Sequence, residues 1–524
     1  STEVTVTANE AHVQTDSSEH AGLLTDTQYQ NVPDRGRNYL DYLRLLPGVT
    51  VTSGGANNTG TDAPGWSSGA VTFNGGNGQV VMQLDGITSM DTGQGQATGY
   101  ISPSVDAIQE VRVQTGNVNA EYGSRAGGTV NVVIKNGTSQ FHGSAYEFLR
   151  NNFFNANGYF NKLSTNPALK DHPASYKYNN FGGTFGGPVV IPGLAFNKNR
   201  DKLFFFFSAD YIRRNEVTIG NATAPSNMTT PTPAEQAGMF YGLSGPLHNL
   251  PGASTCSEYD VAATLWSCTL DPALVNTAGD TILKMLPTAT CLRGADSDPL
   301  LPAAIKTANS SIASLPLCSG NTGPTTANSF NYNAQVTTPH PWDNDILRVD
   351  YNLAPNELWY VRLIKNFEQY NFGFLGGSGN WPQLINLYTI HSSGAVSTLV
   401  STIRPNLVNE FTAGTNRALQ TVDVAPSVLS KNQRAPNGLG PTVLPVLFPA
   451  SGPGTAQKTG VNPFDLIPTM SFGGTGGGKS IGFDNNNAPN FALDGSRRFP
   501  FFGTDTTYNI TDNISWIRGN HAMK

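Results

Sequence analysis

Apolar and polar residues alternate along several stretches in the second half of the chain. The clearest stretch has apolar side chains at every second position, in the order Leu347, Arg348, Val349, Asp350, Tyr351, Asn352 and Leu353. Successive side chains of a strand point to opposite faces, so this pattern predicts a strand with one apolar and one polar face. We predict about nine strands on this criterion, at about 139–150, 177–190, 202–215, 343–353, 356–369, 385–403, 406–418, 503–511 and 512–520.

The connections between these strands alternate between short and long. Tight turns are predicted at 352–356, 404–406 and 511–513, and a shorter loop is predicted at about 191–201. Long loops are predicted at about 151–176, 216–342, 370–384 and 419–502. Short turns on one side and long loops on the other are the signature of outer-membrane barrels, and a soluble β-sandwich does not require them. No apolar run reaches the roughly 18 residues of a spanning helix, so we expect any membrane crossing to use strands.

A different pattern precedes residue 138. Short apolar runs rich in β-branched residues, at 80–87, 108–116 and 129–135, are bounded by Gly or Asp-Gly turn signals. A further short strand is predicted at 70–73. The apolar spacing from Tyr39 to Leu46 predicts one short helix, capped by Asp34 or Asn38 and ended by Pro47 and Gly48. These elements predict a small mixed domain ahead of the long strands.

Four sequence motifs follow one another in this region. They are LRLLPGV at 43–49, VVMQLDGI at 80–87, IQEVRVQTG at 108–116, and AEYGSRAGGTVNVVIK at 120–135 followed by FHG at 141–143. In this order they resemble the plug domain of TonB-dependent outer-membrane transporters, most closely the Oar-like branch. The resemblance implies a mainly β fold, with a small mixed α/β plug domain followed by an antiparallel transmembrane β-barrel. It divides the chain into an N-terminal segment at 1–31, a plug at 32–138 and the first part of a barrel at 139–524.

The resemblance assigns structural roles to residues of the plug motifs. These residues are Arg35, Arg37, Pro47, Gly48, Asp85, Gly86, Glu110, Gly116, Glu121, Gly123, Gly127 and Gly128. Arg35 and Arg37 either pair with carboxylates of the barrel wall or are solvated surface residues, and both alternatives stay open. Trp66 and Tyr100 lie in Gly-rich loops and are the aromatic candidates for binding a ligand, although a plain loop fits these residues equally well.

The resemblance also implies a location in the outer membrane, in contact with its lipid, and a function in uptake. A ligand of unknown chemistry binds at the cell surface, and a periplasmic energy transducer of the TonB type uses proton-motive force to open a path through the plug. Such a transducer pairs with an extended peptide by β-augmentation, which requires strand propensity. The alternating residues that fit this TonB box are Glu3, Val4, Thr5, Val6, Thr7 and Ala8. An ordinary first strand, or the joint to an upstream domain, has the same pattern.

Composition narrows the possible partners. The 31 basic and 37 acidic residues give a formal net charge of −6 without a basic stripe, which argues against nucleic acid. All four cysteines, Cys256, Cys268, Cys291 and Cys318, lie within the predicted loop 216–342. No Cys-x-x-Cys pair occurs among them, which argues against zinc. An even number of clustered cysteines in an exported protein predicts two disulfides, and three connectivities remain open.

One motif points towards an enzyme. Residues 473–480, GGTGGGKS, match the P-loop pattern, which requires a helix immediately afterwards. The following residues include Gly482, three asparagines at 485–487 and Pro489, which disfavour a helix. No metal-ligand spacing of histidines and no Gly-x-Ser-x-Gly elbow occurs in the sequence. We therefore expect no catalytic residues, metal or cofactor, and keep a nucleotide-binding enzyme only as a remote alternative. A barrel-type adhesin or secretion-related receptor without import is the nearer alternative.

The strand count also predicts that this barrel is incomplete. Bacterial single-chain barrels have even strand counts, and plugged transporters of the outer membrane have 22 strands. About nine strands are therefore too few to close around a plug. We expect further sequence upstream of Ser1 and downstream of Lys524.

Overall fold

The computed structural model describes residues 20–52, 70–74, 80–89, 101–116, 128–219, 226–246, 254–318, 330–371, 386–424 and 501–524. These ranges contain gaps of one or two residues, and parts of 426–444 and 493–498 are described as well. None of the described helices is long and apolar enough to cross a membrane.

The N-terminal region forms a small mixed sheet with two short helices. Its strands are β1 (His20–Thr25), β2 (Val49–Thr52), β3 (Ala70–Phe73), β4 (Val81–Leu84), β5 (Ile87–Thr88), β6 (Ile108–Gly116) and β7 (Thr129–Ile134), and its helices are α1 (Asp26–Asn31) and α2 (Tyr39–Tyr42). Five strands pair in the order β1-β6-β7-β4-β5, and β2 pairs separately with β3. Among the described strands of this region, only β4 and β7 pair in parallel. The strand predicted at 70–73 has these bounds in the structure.

The predicted helix is present in two parts. Helix α2 continues into a 3-10 turn at Leu43–Leu45, and the chain then turns at Gly48 into β2. Asn38 is the cap, because its side chain accepts a hydrogen bond from the Leu40 backbone N–H at 3.1 Å. Asp34 instead accepts from the backbone N–H groups of Gly36 and Asn38 and so fixes the approach to the helix.

Longer strands follow. In chain order the elements are β8 (His142–Asn151), α3 (Tyr159–Lys162), α4 (Pro167–Lys170), β9 (Lys177–Pro188), β10 (Leu203–Ile219), β11 (Ser226–Met228), α5 (Pro233–Gln236), β12 (Met239–Leu243), β13 (Ser254–Asp260), β14 (Leu265–Leu270), α6 (Thr277–Lys284), α7 (Ala303–Ala308), β15 (Tyr332–Ala334), β16 (Val336–Ala354), β17 (Glu357–Asn371), β18 (Asn386–Arg404), β19 (Leu407–Val424), β20 (Leu493–Asp494), β21 (Arg497–Arg498), β22 (Phe501–Arg518) and β23 (His521–Met523).

Nine of these strands form one antiparallel sheet in the order β23-β22-β19-β18-β17-β16-β10-β9-β8. Each strand pairs with its neighbour in the sheet through an unbroken or singly shifted register. Tight connections follow β16 and β18, whereas β8, β10, β17 and β19 are followed by long segments. The predicted alternation of short and long connections is therefore present.

The last predicted hairpin is wrong. Thr511, Asp512 and Asn513 were expected to form a turn between two strands, but they lie inside β22 and pair with Thr412, Phe411 and Glu410 of β19. The long partner strand overrides the turn propensity of Asp and Asn, because each paired residue keeps its backbone hydrogen bonds. The turn instead occurs at Gly519, whose φ of +59° suits glycine.

Several strands also run further than the sequence predicts. Strand β10 ends at Ile219 and β16 starts at Val336, so the two ends of the predicted loop, 216–219 and 336–342, are strand. Pro339 and Pro341 lie inside β16 and conceal its first half, because proline within a run argues against a strand. Strand β19 likewise extends to Val424, beyond the predicted loop start at 419.

The segment between β10 and β16 folds into an insertion of its own. It contains a three-stranded sheet in the order β12-β14-β13, a small β11-β15 pair and the helices α5 to α7. Its apolar cores are separate from that of the N-terminal sheet and include Phe240, Leu283, Leu301 and Ile305. The insertion is therefore a folded unit on the side of the long connections.

One face of the nine-stranded sheet carries the N-terminal domain. Phe206, Ile346 and Ile364 point to this inner face and belong to the same apolar core as the N-terminal strands. On β10, β16 and β17 the even-numbered residues point inwards and the odd-numbered ones outwards. The alternation noted in the sequence therefore separates residues that contact the N-terminal domain from residues on the outer surface.

Candidate functional site

The junction between the N-terminal domain and the inner wall is the most elaborate polar site of the described residues. At its centre is Asp85, in the two-residue turn between β4 and β5, where Asp85 and Gly86 have φ values of +48° and +79°. Both positive values suit the Asp-Gly dipeptide, which is favoured in such hairpin turns. The turn directs the Asp85 carboxylate towards the wall.

Asp85 forms a fully buried ion pair with Arg362 of β17. Arg362 Nε lies 3.0 Å from Asp85 Oδ2, and the two side chains are 0% and 1% exposed. Asp85 Oδ1 accepts a hydrogen bond from the Ile134 N–H at 3.0 Å, and Arg362 Nη2 donates to the Leu84 carbonyl at 3.3 Å. Removing one partner of such a pair leaves an uncompensated buried charge, which is strongly destabilising.

A second arginine holds the neighbouring strand end. Arg348 of β16 donates from Nη1 to the Ile134 carbonyl at 2.7 Å, while Nε and Nη2 contact Asp350 Oδ1 at 3.0 and 2.9 Å. Its guanidinium also lies over the Tyr360 ring, 4.2 Å from the centroid. The two arginines therefore bind the ends of the adjacent parallel strands β4 and β7 to the wall.

Asparagines of the wall hydrogen-bond the backbone of the domain. Asn344 accepts from the Ser104 N–H at 3.2 Å, and Asn366 donates to the Ser102 carbonyl at 3.2 Å. Asn344 and Asn366 are joined at 2.7 Å. Because these bonds go to backbone atoms, they depend on the position of the domain and very little on its side chains.

Arg37 contacts the wall, but not through a carboxylate. It forms an ion pair with Asp106 of its own domain, and its guanidinium lies over the rings of Tyr146 and Phe148, 4.6 and 4.2 Å from their centroids. The hypothesis that Arg37 pairs with a wall carboxylate is therefore wrong. Asp106 compensates the charge of Arg37 within the domain. Strand β8 of the wall contributes only the aromatic faces of Tyr146 and Phe148.

Two motif glycines are required by close approach. Gly48 has a φ of +75° and directs the chain into β2, and a Cβ there would meet Asn74. Gly128 has a φ of +111°, and a Cβ there would run into the Gln114 carbonyl and the Phe73 ring. Both positions exclude a larger residue for conformational and steric reasons.

The remaining predicted residues divide into two groups. Glu110 is half-buried on β6 opposite Thr25, and Gly116 ends β6 opposite His20. The residues that lie outside the described ranges are Glu3, Val4, Thr5, Val6, Thr7, Ala8, Arg35, Trp66, Tyr100, Glu121, Gly123 and Gly127, together with the P-loop match at 473–480.

The structure pairs the four cysteines of the insertion. Cys256 is joined to Cys268, directly opposite in the β13–β14 hairpin, and Cys291 is joined to Cys318. Both pairs close loops within the insertion and none crosses to the large sheet. The described residues contain no free cysteine.

A buried polar network ties the insertion together. Arg293 Nη2 contacts Glu235 Oε1 at 2.9 Å and Asp296 Oδ1 at 2.8 Å, and Tyr241 Oη donates to Asp296 Oδ1 at 2.6 Å. Burial raises the pKa of the Glu235 carboxyl, although Arg293 opposes this shift. Burial also acts against the charge of Arg293, but Asp296 and Glu235 outweigh it and raise its pKa. The network is internally compensated, which suits a structural role.

Sequence reasoning missed the wall residues. Arg348 was identified on the polar face of its strand, yet nothing in the sequence connects it with Ile134, and Arg362, Asn344 and Asn366 were not singled out. The sequence offered one signal for them, namely a charged or amide side chain on the polar face of a strand that alternates between polar and apolar residues.

Comparison with known proteins agrees with this geometry. Residues 19–130 match the family model described as TonB-dependent Receptor Plug Domain, and residues 133–524 match the model described as Outer membrane beta barrel domain. A small mixed domain on the inner face of an outer-membrane β-sheet defines the class of plugged barrels. The chain belongs to the TonB-dependent receptors, a family of outer-membrane proteins.

Individual relatives are distant. The TonB-dependent transporter Oar of Myxococcus xanthus is 25% identical over 189 residues, which is 36% of this chain and 15% of that protein. The outer membrane transporter YddB from Escherichia coli is 11% identical, with a TM-score of 0.44 over 77% of this chain and 39% of that one. The ferric enterobactin receptor PfeA from Pseudomonas aeruginosa, as a mutant, is 12% identical, with a TM-score of 0.36, and the match covers 95% and 55% of the two chains. The chain therefore spans well under two thirds of these relatives.

Proposed function

We propose that the protein binds a ligand at the cell surface and imports it with energy that a TonB-type transducer delivers from the proton-motive force. The observation that supports this most directly is the N-terminal domain docked on the inner wall through Asp85 and Arg362. A domain in this position obstructs the barrel interior, so passage of a ligand requires it to rearrange. Family membership supports the same proposal.

The docking is suited to reversible movement. Among the described residues, the wall contacts the domain through the apolar side chains of Phe206, Ile346 and Ile364 and through hydrogen bonds. The stacking of Arg37 on β8 and one ion pair complete these contacts. Water can replace hydrogen bonds of this kind when the interface opens, so each one contributes only about 0.5–1.5 kcal/mol net. The buried ion pair is the exception and gives the docked state its fixed position.

The test is a ligand-depletion screen on cells with and without the gene. We expect one compound to disappear from the medium only with the gene present, and this loss to stop when a protonophore collapses the proton-motive force. Binding to the cell surface should persist under the protonophore. Depletion that is insensitive to the protonophore would contradict energised import, whereas surface binding without any uptake would support the adhesin alternative.

Coupling to the transducer is proposed to use Glu3–Ala8. Val6→Pro removes a backbone N–H and fixes φ, so it should disrupt strand addition by the partner. We expect uptake to fall while surface binding of the same compound is retained. Val6→Thr keeps the strand propensity and is the matched control. Full uptake by the Val6→Pro variant would assign this stretch to an ordinary first strand or a joint to an upstream domain.

Ligand contact is proposed for Trp66 and Tyr100. Each is an aromatic residue in a Gly-rich loop of the N-terminal domain, and such loops supply ligand contacts in many proteins. Once a compound has been found, Trp66→Ala and Tyr100→Ala should each weaken surface binding without lowering the amount of protein in the outer membrane. Unchanged affinity in both variants would remove them from the site.

A further inference from the structure

The short connections of the nine-stranded sheet form a continuous rim. Short connections of outer-membrane barrels face the periplasm, whereas the long ones face the cell exterior. Asparagine side chains join each short connection to the next. The bonds run from Nδ2 to a backbone carbonyl, and they are Asn352 to Asp201 at 2.8 Å, Asn356 to Thr402 at 3.3 Å and Asn406 to Ile517 at 2.8 Å. We call the four connections β9–β10, β16–β17, β18–β19 and β22–β23, with the strand ends that border them, the periplasmic rim.

The connection between β9 and β10 is held in one conformation by a buried asparagine. Asn197 Nδ2 donates to the Val189 and Leu203 carbonyls at 2.8 and 2.7 Å, and its Oδ1 accepts from the Lys202 N–H at 2.9 Å. Asn197 and Arg200 both have positive φ values, +53° and +59°. A residue other than glycine keeps this conformation only where its surroundings enforce it. The chain from Asn197 to Lys202 therefore has a fixed shape.

This fixed segment presents three basic side chains to the periplasm. Lys198, Arg200 and Lys202 are exposed, and Asp201 is the one acidic residue of the segment. None of the three basic side chains forms an ion pair with a residue that the structure describes. Their charges are therefore available to an anion outside the barrel.

Basic residues also prevail along the rest of the periplasmic rim. Arg404 ends β18 and Arg518 ends β22, and both are exposed. The exposed carboxylate in that part of the described rim is Glu357, at the start of β17. The periplasmic rim is therefore cationic, although the chain as a whole has a formal net charge of −6.

The chemistry of the rim fits an anionic polymer better than a folded protein. Residues 197–202 and the tight tips at 355–356 and 405–406 carry charged, amide and proline side chains. Protein partners bind through aromatic or apolar anchors at the centre of an interface, and these segments contain none. Separate cations on a fixed ridge instead suit repeated negative charges, because weak contacts along one polymer reinforce each other.

We propose that the periplasmic rim binds the carboxylates of cell-wall peptidoglycan through Lys198, Arg200 and Lys202, which goes beyond the proposed import of a ligand. Peptidoglycan is an anionic polymer of the periplasm, and its repeating peptide stems carry carboxylates. The lysines offer charged N–H donors to these groups, and the planar Arg200 guanidinium suits two carboxylate oxygens at once. The contact attaches the barrel to the cell wall and leaves the long connections free at the cell surface.

Co-sedimentation with isolated peptidoglycan sacculi tests this binding. The protein is purified from outer membranes in detergent, and the probes are native sacculi and sacculi whose carboxylates have been converted to neutral amides. We expect native sacculi to bind the protein and amidated sacculi to lose most of this binding. Binding should also weaken as the salt concentration rises, because ions screen exposed charges. Equal binding of both kinds of sacculi by the wild-type protein would overturn the proposal, and this comparison needs no variant to fold.

A triple variant tests the fixed segment. Lys198→Gln/Arg200→Gln/Lys202→Gln should weaken binding to native sacculi about tenfold, because three exposed charge contacts are lost. Heat-modifiable migration verifies that its barrel is intact. Undiminished binding by an intact variant would contradict the role of the segment. Phosphatidylglycerol is added as a separate probe, and binding of this lipid that depends on the segment, without such dependence for sacculi, would assign the rim to lipid instead.

The matched control removes the same charge from the opposite side of the barrel. Lys162→Gln/Lys170→Gln/Lys177→Gln alters three exposed lysines between the end of β8 and the start of β9, on the side of the long connections. Binding to native sacculi should stay within about twofold of the wild-type value. An equal loss in the two triple variants would indicate attraction by net charge alone and would overturn the proposal.

Discussion

At the scale of single residues, the Asp85–Arg362 pair fixes the docked position of the plug. Arg362→Gln should destabilise docking by about 3–5 kcal/mol, because Asp85 would keep a buried charge without its partner. Pulse proteolysis of the protein in outer-membrane vesicles would show this as faster cleavage of the plug. Lys365→Gln, on the outer face of the same strand, is the matched control and should leave cleavage unchanged.

A double variant separates the charge from the packing. Asp85→Asn/Arg362→Gln keeps two hydrogen-bonding side chains, and Asn tolerates the positive φ of position 85. It should recover much of the protection that Arg362→Gln loses. Equal cleavage of the single variant and the wild type would contradict a central role for the pair.

Three buried tyrosines make the plug sensitive to alkaline pH. Burial raises the pKa of Tyr29 and Tyr39 above the ordinary value of 10.0, and burial together with the Asp34 charge raises that of Tyr42 to about 12. In the unfolded plug these groups ionise near pH 10, while the folded plug keeps them neutral. The stabilisation is therefore complete below pH 10 and is lost as the pH rises towards 12.

We expect protease protection of the plug to fall between about pH 10 and pH 12. Tyr42→Phe should make this fall shallower, because one ionisable group is removed from the unfolded state. Tyr508→Phe, at an exposed position of β22, is the matched control. A pH profile that is identical in Tyr42→Phe and the wild type would refute the role of Tyr42.

The sequence predicted residues of the plug motifs better than it predicted their partners. Asp85 and Gly86 are recognisable because their turn is a local property of a dipeptide. Arg362 is more than 270 positions away, and no local pattern states which inward residue of a strand meets which turn. Arg37 shows the same limit, since its charge is compensated by Asp106 and not by the wall.

At the scale of elements, local patterns located strands but not all of their ends. The hairpin predicted at 511–513 failed because pairing with β19 continues through it. The prolines of β16 hid its first half for a different reason. Pro339 and Pro341 pair with β10, whereas the register with β17 begins only at Trp342, so this half is an edge where proline is tolerated. The alternation of short and long connections survived both errors because it depends on order and not on exact ends.

The insertion between β10 and β16 is proposed to depend on its disulfides. Cys291→Ser/Cys318→Ser removes the pair that closes the longer loop, with a sequence separation of 27, and should cost about 3 kcal/mol. Limited proteolysis at the cell surface should then cut the insertion while the barrel stays heat-modifiable. Peptide mapping without reduction should give the pairs Cys256–Cys268 and Cys291–Cys318. Four alkylatable thiols, or a different pairing, would contradict this prediction.

At the scale of the whole molecule, two sheets of different kinds meet along one polar junction. The mixed sheet has the short strands of a small domain. The large sheet has long strands with a largely apolar outer face and an inner face that carries most of the charged and amide side chains, interrupted by Phe206, Ile346 and Ile364. This alternation therefore supplies polar side chains that bind the plug on the inner face and apolar side chains that contact lipid on the outer face. The proposed transport would require the junction to open without disturbing the outer face.

A covalent tether across the junction should block import specifically. Asn416 of β19 donates from Nδ2 to the Thr88 carbonyl, so Thr88→Cys/Asn416→Cys places two thiols on opposite sides of the interface. Joining them with a short cleavable thiol cross-linker should abolish uptake of the compound found in the depletion screen, while surface binding is retained. Cleaving the linker should restore uptake. The single variants treated with the same reagent are the controls, and the native cysteines do not compete while they remain paired. Undiminished uptake by the cross-linked protein would show that the ligand passes without separation of β5 from β19, and the opening would then have to lie elsewhere along the wall.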